Sequence, residues 1–322
     1  MTIIAIVGAT ATGKTAASLA LVRAIRAGAA PRYRDAEIVN ADAMQLYRGM
    51  DIGTAKVEAE VRAEVRHHQL DVLDVREEAS VAAYQRHARA DIAAIRSRGH
   101  LPIVVGGSGL YVRALLDEID FPGTDAAIRA RLEAEAEREG PAALHARLAA
   151  VDPVSAERLH PANVRRVVRA LEVFEVTGRP FSATMPRRRY IAPTHQFGCA
   201  LKADALAARI AERTEAMWRA GLAQETEQLM AAGWGRTAAK ATGYAQTAAY
   251  LRGELSAEQA REAITLATRQ LAKKQSTWFR ADPRITWLEM NGAAGTSGAA
   301  SASDVAGASE GFDLAPMLEA CS

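Results

Sequence analysis

The stretch IIAIVGATATGKTAA, residues 3–17, decides how this chain folds. An apolar run meets a glycine, and Gly8 to Thr15 then match the pattern G-x-x-x-x-G-K-[ST] at every fixed position. Glycines at 8 and 13 let the backbone curl so that its N–H groups point inward at phosphate oxygens. Lys14 adds a positive charge, the Thr15 hydroxyl can ligate Mg²⁺, and the N-terminus of the following helix attracts anions. Strand, glycine loop and helix in that order predict a parallel α/β sheet with a phosphate or diphosphate site beyond its carboxyl edge.

Working outward, further short apolar runs read as buried strands at 36–41, 101–105, 196–201 and 284–288, with a weaker one at 68–75. Helical periodicity fills the intervals, for example Val81 to Arg98. The expected fold is a P-loop NTPase-like parallel sheet flanked by helices. Residues 125–189 break the alternation and read as consecutive helices (Asp125–Gly140, Pro141–Ala150, a short one from Pro153, then Asn163–Thr177), punctuated by Pro and Gly. The expected organisation is a body of residues 1–124 and 190–290, a helical insertion of 125–189, and a tail of 291–322. The tail is rich in Gly, Ala and Ser, with few large apolar residues, so it is expected to be disordered.

The composition, 322 residues with 49% hydrophobic and 24% charged, suits one large or two smaller globular domains. No apolar run approaches the roughly 18 residues that span a bilayer. The N-terminus leads straight into the glycine loop, so no cleavable signal is expected. Cys199 and Cys321 stand far apart without metal spacing. A cytoplasmic location, without membrane attachment, is expected. The net charge of +2 is uneven: residues 291–322 hold four carboxylates and no Lys or Arg, so residues 1–290 carry +6. Seven Arg against two Glu fill Pro161–Tyr190, and six Lys/Arg against two acids fill Arg261–Arg284. Two basic stretches fit a polyanionic partner, or else solvated helix faces.

An ordinary NTPase of this fold places an Asp at the end of a later strand to help hold Mg²⁺. The run LPIVV ends instead in GGSGLY, 106–111, a second glycine turn that carries the Ser108 hydroxyl. The acid follows another strand, at Asp42 in NADAMQLYRG. A carboxylate there can take a proton from a nucleophile approaching a bound phosphate ester, or it can be a helix N-cap or a Mg²⁺ outer-shell ligand. His67 and His68 are adjacent and lack metal spacing, so a structural role is expected. Tyr111, Trp218, Trp278 and Trp287 could stack on bases, but an aromatic on a helix or strand is usually core.

GATATGKT, DAMQLYRGMDIGTAK, HHQLDVLDV, GGSGLYVRALL, RRVVRALEVFEVTGRPFS, ATGYAQ and ATRQLAKKQSTWFR follow one another over residues 2–288. In that order they resemble the tRNA dimethylallyltransferases, which prenylate an adenosine beside the anticodon. The resemblance implies that Gly8, Thr10, Ala11, Thr12, Gly13, Lys14 and Thr15 hold the diphosphate of dimethylallyl diphosphate with Mg²⁺, Thr15 being the metal ligand. Asp42 would be the catalytic base and Ser108 the hydroxyl beside the leaving oxygen. Arg213 would neutralise leaving-group charge. A tunnel would admit the isoprenoid from one end and a flipped-out adenine from the other.

By the same resemblance, tRNA contacts fall on Asp42, Ala43, Met44, Gln45, Arg165, Arg166, Arg169, Lys240, Gly243, Tyr244, Lys273, Lys274, Gln275, Trp278 and Arg280. The helical insertion would grip the anticodon stem-loop, and the enzyme is expected to be a monomer. Ala9, Ala43, Ser108, Ala162, Asn163 and Arg165 depart from the family's usual residues. Rival readings are prenylation of free AMP, which needs neither the insertion nor the basic helix, a small-molecule kinase or NTPase, and a non-catalytic RNA-binding protein.

Overall fold

The structure, a computed structural model, describes residues 2–184, 188–290 and 312–321. The chain divides into two compact units, Met1–Leu116 with Ala192–Ser322, and Asp117–Ile191.

The first unit carries a six-stranded, all-parallel sheet. Its strands are β1 (Ile3–Gly8), β2 (Ala36–Asn40), β3 (His67–His68), β4 (Leu101–Gly106), β5 (Thr194–Ala200) and β6 (Ile285–Glu289), in the order β3-β2-β4-β1-β5-β6. β1 is buried along its whole length, as expected for a central parallel strand covered on both faces. Between the first four strands lie α1 (Lys14–Arg26), α2 (Ala59–Glu64) and α3 (Val81–Ser97), and α4 (Gly109–Leu116) follows β4. Because β4 lies between β2 and β1, the carboxyl ends at Asn40, Gly106 and Gly8 are neighbours. That ordering places the site.

The weaker strand expected at 68–75 shrinks to His67–His68. Gln69 and Asp71 take φ of 59° and 55°, which ends extended chain, and only Leu73 returns to make an isolated bridge with Tyr47. Both histidines serve structure. His67 Nδ1 meets the Val65 carbonyl at 2.7 Å, and His68 Nε2 meets Glu37 Oε2 at 2.7 Å. Burial alone would raise the Glu37 pKa, but hydrogen bonds from Arg98, His68 and His100 bring it down to about 2. Among the described residues no His, Cys, Asp and Glu cluster suits a metal ion.

The second unit packs α5 (Ala126–Glu139), α6 (Pro141–Val151), α7 (Pro153–Arg158) and α8 (Val164–Thr177) around Leu132, Leu144, Leu148, Val168 and Leu171. Asp125 caps α5 by accepting the Ala127 and Ile128 N–H groups, and Asp152 caps α7 through Ser155. This unit runs from Asp117 to Ile191, with Asp117 bridging Tyr190, so residues 117–124 and 190–191 belong with the helices and not with the body as expected.

The first unit resumes with α9 (Ala203–Arg219), α10 (Leu222–Ala232), α11 (Arg236–Ala239), α12 (Tyr244–Leu251), α13 (Ala257–Arg280) and α14 (Ala315–Glu319). The disorder expected of the whole tail does not hold for 312–321. Phe312, Met317 and Cys321 are buried in the core beside Leu21, Val22, Phe197 and Leu288. Three apolar side chains at short spacing suffice to dock a brief helix, whatever the mean composition of the segment. Residues 291–311 lie outside the described residues. No helix of the described residues is long and apolar enough to cross a membrane.

Candidate active site

The glycine loop leaves β1 through Gly8 (φ 141°), passes Ala11 in the left-handed region (φ 64°), and enters α1 after Gly13 (φ 94°). A Cβ on Gly8 would sit 2.7 Å from the Cys199 carbonyl oxygen of the neighbouring strand, so only glycine fits. One carbonyl closes the loop: the Thr12 hydroxyl donates to Ala9 O at 2.8 Å and the Lys14 ammonium donates to it at 2.6 Å. The Thr10 N–H donates to Gln275 Oε1 at 2.8 Å. Among the described residues, no protein acceptor meets the N–H groups of Ala11, Thr12 and Gly13. Donors held in a strained turn ahead of a helix form an anion cradle.

The charges around it agree. Surrounding protein pushes the Lys14 pKa down to about 8; Arg213 adds to the depression and Asp42 opposes it. Arg213, on α9, is pushed down to about 10 by burial and by Arg209. Crowded cations of this kind await an anion. Arg209 was missed in the sequence, although it lies one turn before Arg213 and therefore on the same helix face. Its guanidinium would come within 3.9 Å of a Cβ at Gly13, which places it at the loop.

Asp42 and Ser108 lie at the ends of the adjacent strands β2 and β4. The Asn40 side chain, itself buried, accepts the Asp42 N–H at 3.0 Å and donates to the Asp42 carbonyl at 3.1 Å. Asp42 Oδ1 accepts the Met44 N–H at 2.9 Å in a local turn, leaving Oδ2 for other partners. The helix N-cap alternative fails, because no helix follows Asp42. Ser108 N–H donates to the Ala41 carbonyl at 3.3 Å, and Ser108 Oγ accepts the Ala43 N–H at 3.1 Å. Gly106 permits this approach, since a Cβ there would lie 2.3 Å from Ala41 O. Tyr84 and Tyr111 pack at 4.8 Å between ring centroids, and burial, helped by Tyr47 and Asp42, pushes the Tyr111 phenol up to about 12.

The segment after Asp42 is held from beneath. Glu225 of α10 accepts the N–H groups of Asp51, Ile52 and Gly53 and the Tyr244 hydroxyl. Lys56, fully buried, donates to Asp51, Asp71 and the Tyr47 carbonyl. Gln45 donates to the Thr54 carbonyl at 3.0 Å.

The expected RNA-contacting residues therefore separate. Arg165, Arg166, Lys240, Lys273, Lys274 and Arg280 are exposed, and Trp278 is 45% exposed, against its reading as core. Ala43 and Met44 are half-buried beside Asp42. Tyr244 is fully buried with its ring against Gly53, and Gly243 is buried too, so neither offers a surface. Arg169 is engaged by Glu172 and by the Pro122 and Gly123 carbonyls. A contiguous motif includes positions that fold inward, as Gly243 and Tyr244 do where α12 begins, or that are taken up by ion pairs, as Arg169 is.

The family model described as "IPP transferase" matches residues 45–282. A "tRNA dimethylallyltransferase" of Nocardioides sp. is 51% identical over 289 residues, covering 89% of this chain and 90% of its own length. Another, from Thermobifida fusca, is 53% identical over 289 residues, with 89% of each chain covered. Among solved structures, the tRNA isopentenylpyrophosphate transferase of Bacillus halodurans superposes with a TM-score of 0.64 at 35% identity, covering 99% of this chain and 97% of that one. A eukaryotic dimethylallyltransferase acting on tRNA gives 0.75 at 25% identity, covering 89% and 73%.

Proposed function

The chain belongs to the IPP transferase family, and we propose that it transfers a dimethylallyl group from dimethylallyl diphosphate to the exocyclic amine of the adenosine 3′ to the anticodon in tRNA. The observation that carries the reading is the meeting of Asp42 and Ser108, on adjacent strand ends, beside a cation-lined glycine loop. The loop amides and Lys14, Arg209 and Arg213 hold the diphosphate. The adenine amine attacks the allylic carbon as the carbon–oxygen bond to diphosphate breaks. The amine proton passes to Asp42, and the departing oxygen takes a hydrogen bond from Ser108 and the positive field of the loop.

Thr15 fits a Mg²⁺ ion. The Thr15 hydroxyl at the start of α1 suits an ion bound chiefly by substrate phosphates and water. When bound, Mg²⁺ would neutralise diphosphate charge. The exposed cations of α13 and of α8 supply phosphate contacts to the RNA. Free AMP is disfavoured, because a mononucleotide needs neither set of exposed cations.

The test is incubation with dimethylallyl diphosphate, Mg²⁺ and unmodified tRNA, followed by mass analysis of the nucleosides, with AMP and ATP in parallel arms. Prenylated adenosine in tRNA is expected. Prenylation of AMP alone, or ATP turnover without prenyl transfer, would replace the assignment.

A further inference from the structure

The helix α13 has two faces with different work. Lys273, Lys274, Thr277 and Arg280 are exposed. The opposite face lies on both glycine turns of the site. Ala272 is buried in one cluster with Ala9, Ala11 and Ile210. Three residues on, Gln275 Oε1 accepts the Thr10 N–H at 2.8 Å. Its Nε2 lies 2.5 Å from the position a Cβ on Gly107 would take. One turn further, the Trp278 ring lies 2.1 Å from the place of a Gly109 Cβ. Gln275 and Trp278 thus lie against the two glycines that flank Ser108, while Gln275 also reaches the phosphate loop.

We propose that Gln275 is a positioning residue of the diphosphate site, holding the phosphate loop and the Ser108 turn in register, and is not a reader of tRNA. The chemistry of the side chain supports this. Thr10 offers a donor, so the amide must turn its oxygen to the loop and its NH₂ to the second glycine turn. A lysine or arginine, the residue types that surround it in KKQSTWFR, has no acceptor and cannot serve there. With Thr10 N–H engaged by Gln275, the following amides stay directed at the anion. An unpaired Thr10 N–H would be free to let the loop relax, and preorganisation of those amides would be lost.

The proposal rests on the assignment of the loop to a diphosphate, and the experiment separates the two. Gln275→Met keeps the volume and removes the acceptor, and Gln275→Ala removes both. Binding of magnesium pyrophosphate without tRNA is measured by calorimetry, and binding of tRNA without pyrophosphate by filter retention. Prenyl-transfer KM is measured for each substrate, and circular dichroism and thermal melts establish that the variants are folded. Both variants should bind pyrophosphate roughly 5- to 100-fold more weakly, the consequence of losing one hydrogen bond to a half-buried amide that orients the loop. KM for the allylic diphosphate should rise in step, while tRNA affinity and its KM stay within about twofold. Pyrophosphate affinity within twofold of wild type in folded Gln275→Met would overturn the proposal, and so would weakening confined to tRNA. Absence of prenyl transfer by the wild-type chain would remove the functional assignment instead. Should Gln275→Ala alone misfold, Gln275→Met decides; should both misfold, the residue is a core element and the proposal falls.

Discussion

The Ser108 hydroxyl accepts the Ala43 N–H at 3.1 Å, tying the turn after β4 to the residue that follows Asp42. Accepting leaves the hydroxyl proton unused, so Ser108 can donate it to an oxygen held at the phosphate loop. Ser108→Ala is expected to lower kcat about 10²-fold, the usual effect of losing one leaving-group donor. Ser108→Thr should stay within a few-fold of wild type. Steady-state prenyl transfer measures both, and a Thr variant as slow as Ala would show that shape and not the hydroxyl matters.

Asp42→Asn is expected to lose about 10²–10⁴ in rate with tRNA affinity nearly intact. Asn can still accept the Met44 N–H through its side-chain oxygen, so the local turn survives. Single-turnover kinetics alongside tRNA binding separates the effects. Equal losses in both would make Asp42 an RNA contact and not a base.

Lys14 gives the site a pH signature. Its pKa is lowered to about 8, first by burial, and an anion in the loop must raise it again. Measured against Lys14→Met, which cancels the titration of pyrophosphate itself, the affinity advantage of the wild type should therefore be flat below about pH 7.5 and fall by up to about tenfold per pH unit above 8. Calorimetry in buffers of different ionisation heat should show about half a proton taken up per site near pH 8. The stability sign is opposite. The unfolded chain binds this proton more tightly, so the ligand-free protein gains stability from Lys14 as pH rises from about 8 toward 10.5. Lys14→Met should remove both dependences; their persistence would assign them to another group.

The exposed pair Lys273 and Lys274 is expected to meet tRNA phosphates. Each contact contributes roughly 0.7–0.9 to the slope of log affinity against log salt, so the double Ala variant should flatten it by up to about 1.4–1.8. Pyrophosphate binding should not change. A slope equal to that of wild type would falsify this placement of the RNA.

Ending the chain at residue 311 removes Phe312, Met317 and Cys321 from the core. After the entropy of ordering a short segment is subtracted, the loss should be about 2–4 kcal/mol. A thermal melt should fall by several degrees. An unchanged melting temperature would show that α14 adds nothing to the body.

The composition of residues 291–322 suggested disorder because averages hide a few well-spaced apolar side chains. At 312–321 the spacing decided. The helices of residues 125–189 were legible almost to the residue, since Asp125, Asp152, Pro141 and Pro153 are start signals that act locally. The division of roles inside the basic motif was not legible. Lys273 and Lys274 face out while Gln275 binds Thr10, 265 residues earlier in the chain.

By itself the sequence determined what depends on neighbours along the chain: the curl of Gly8–Thr15, the buried run of β1, the caps of the inserted helices, and the presence of Asp42 and Ser108 at strand ends. The tertiary structure alone decided which strand ends stand side by side. The order β3-β2-β4-β1-β5-β6 brings Asp42, Ser108 and the phosphate loop together, and the packing of α9 and α13 adds Arg209 and Gln275 to them. The reason is physical. Backbone conformation follows from sterics and hydrogen bonds within a few residues, whereas the meeting of distant side chains follows from how the buried faces of whole elements pack.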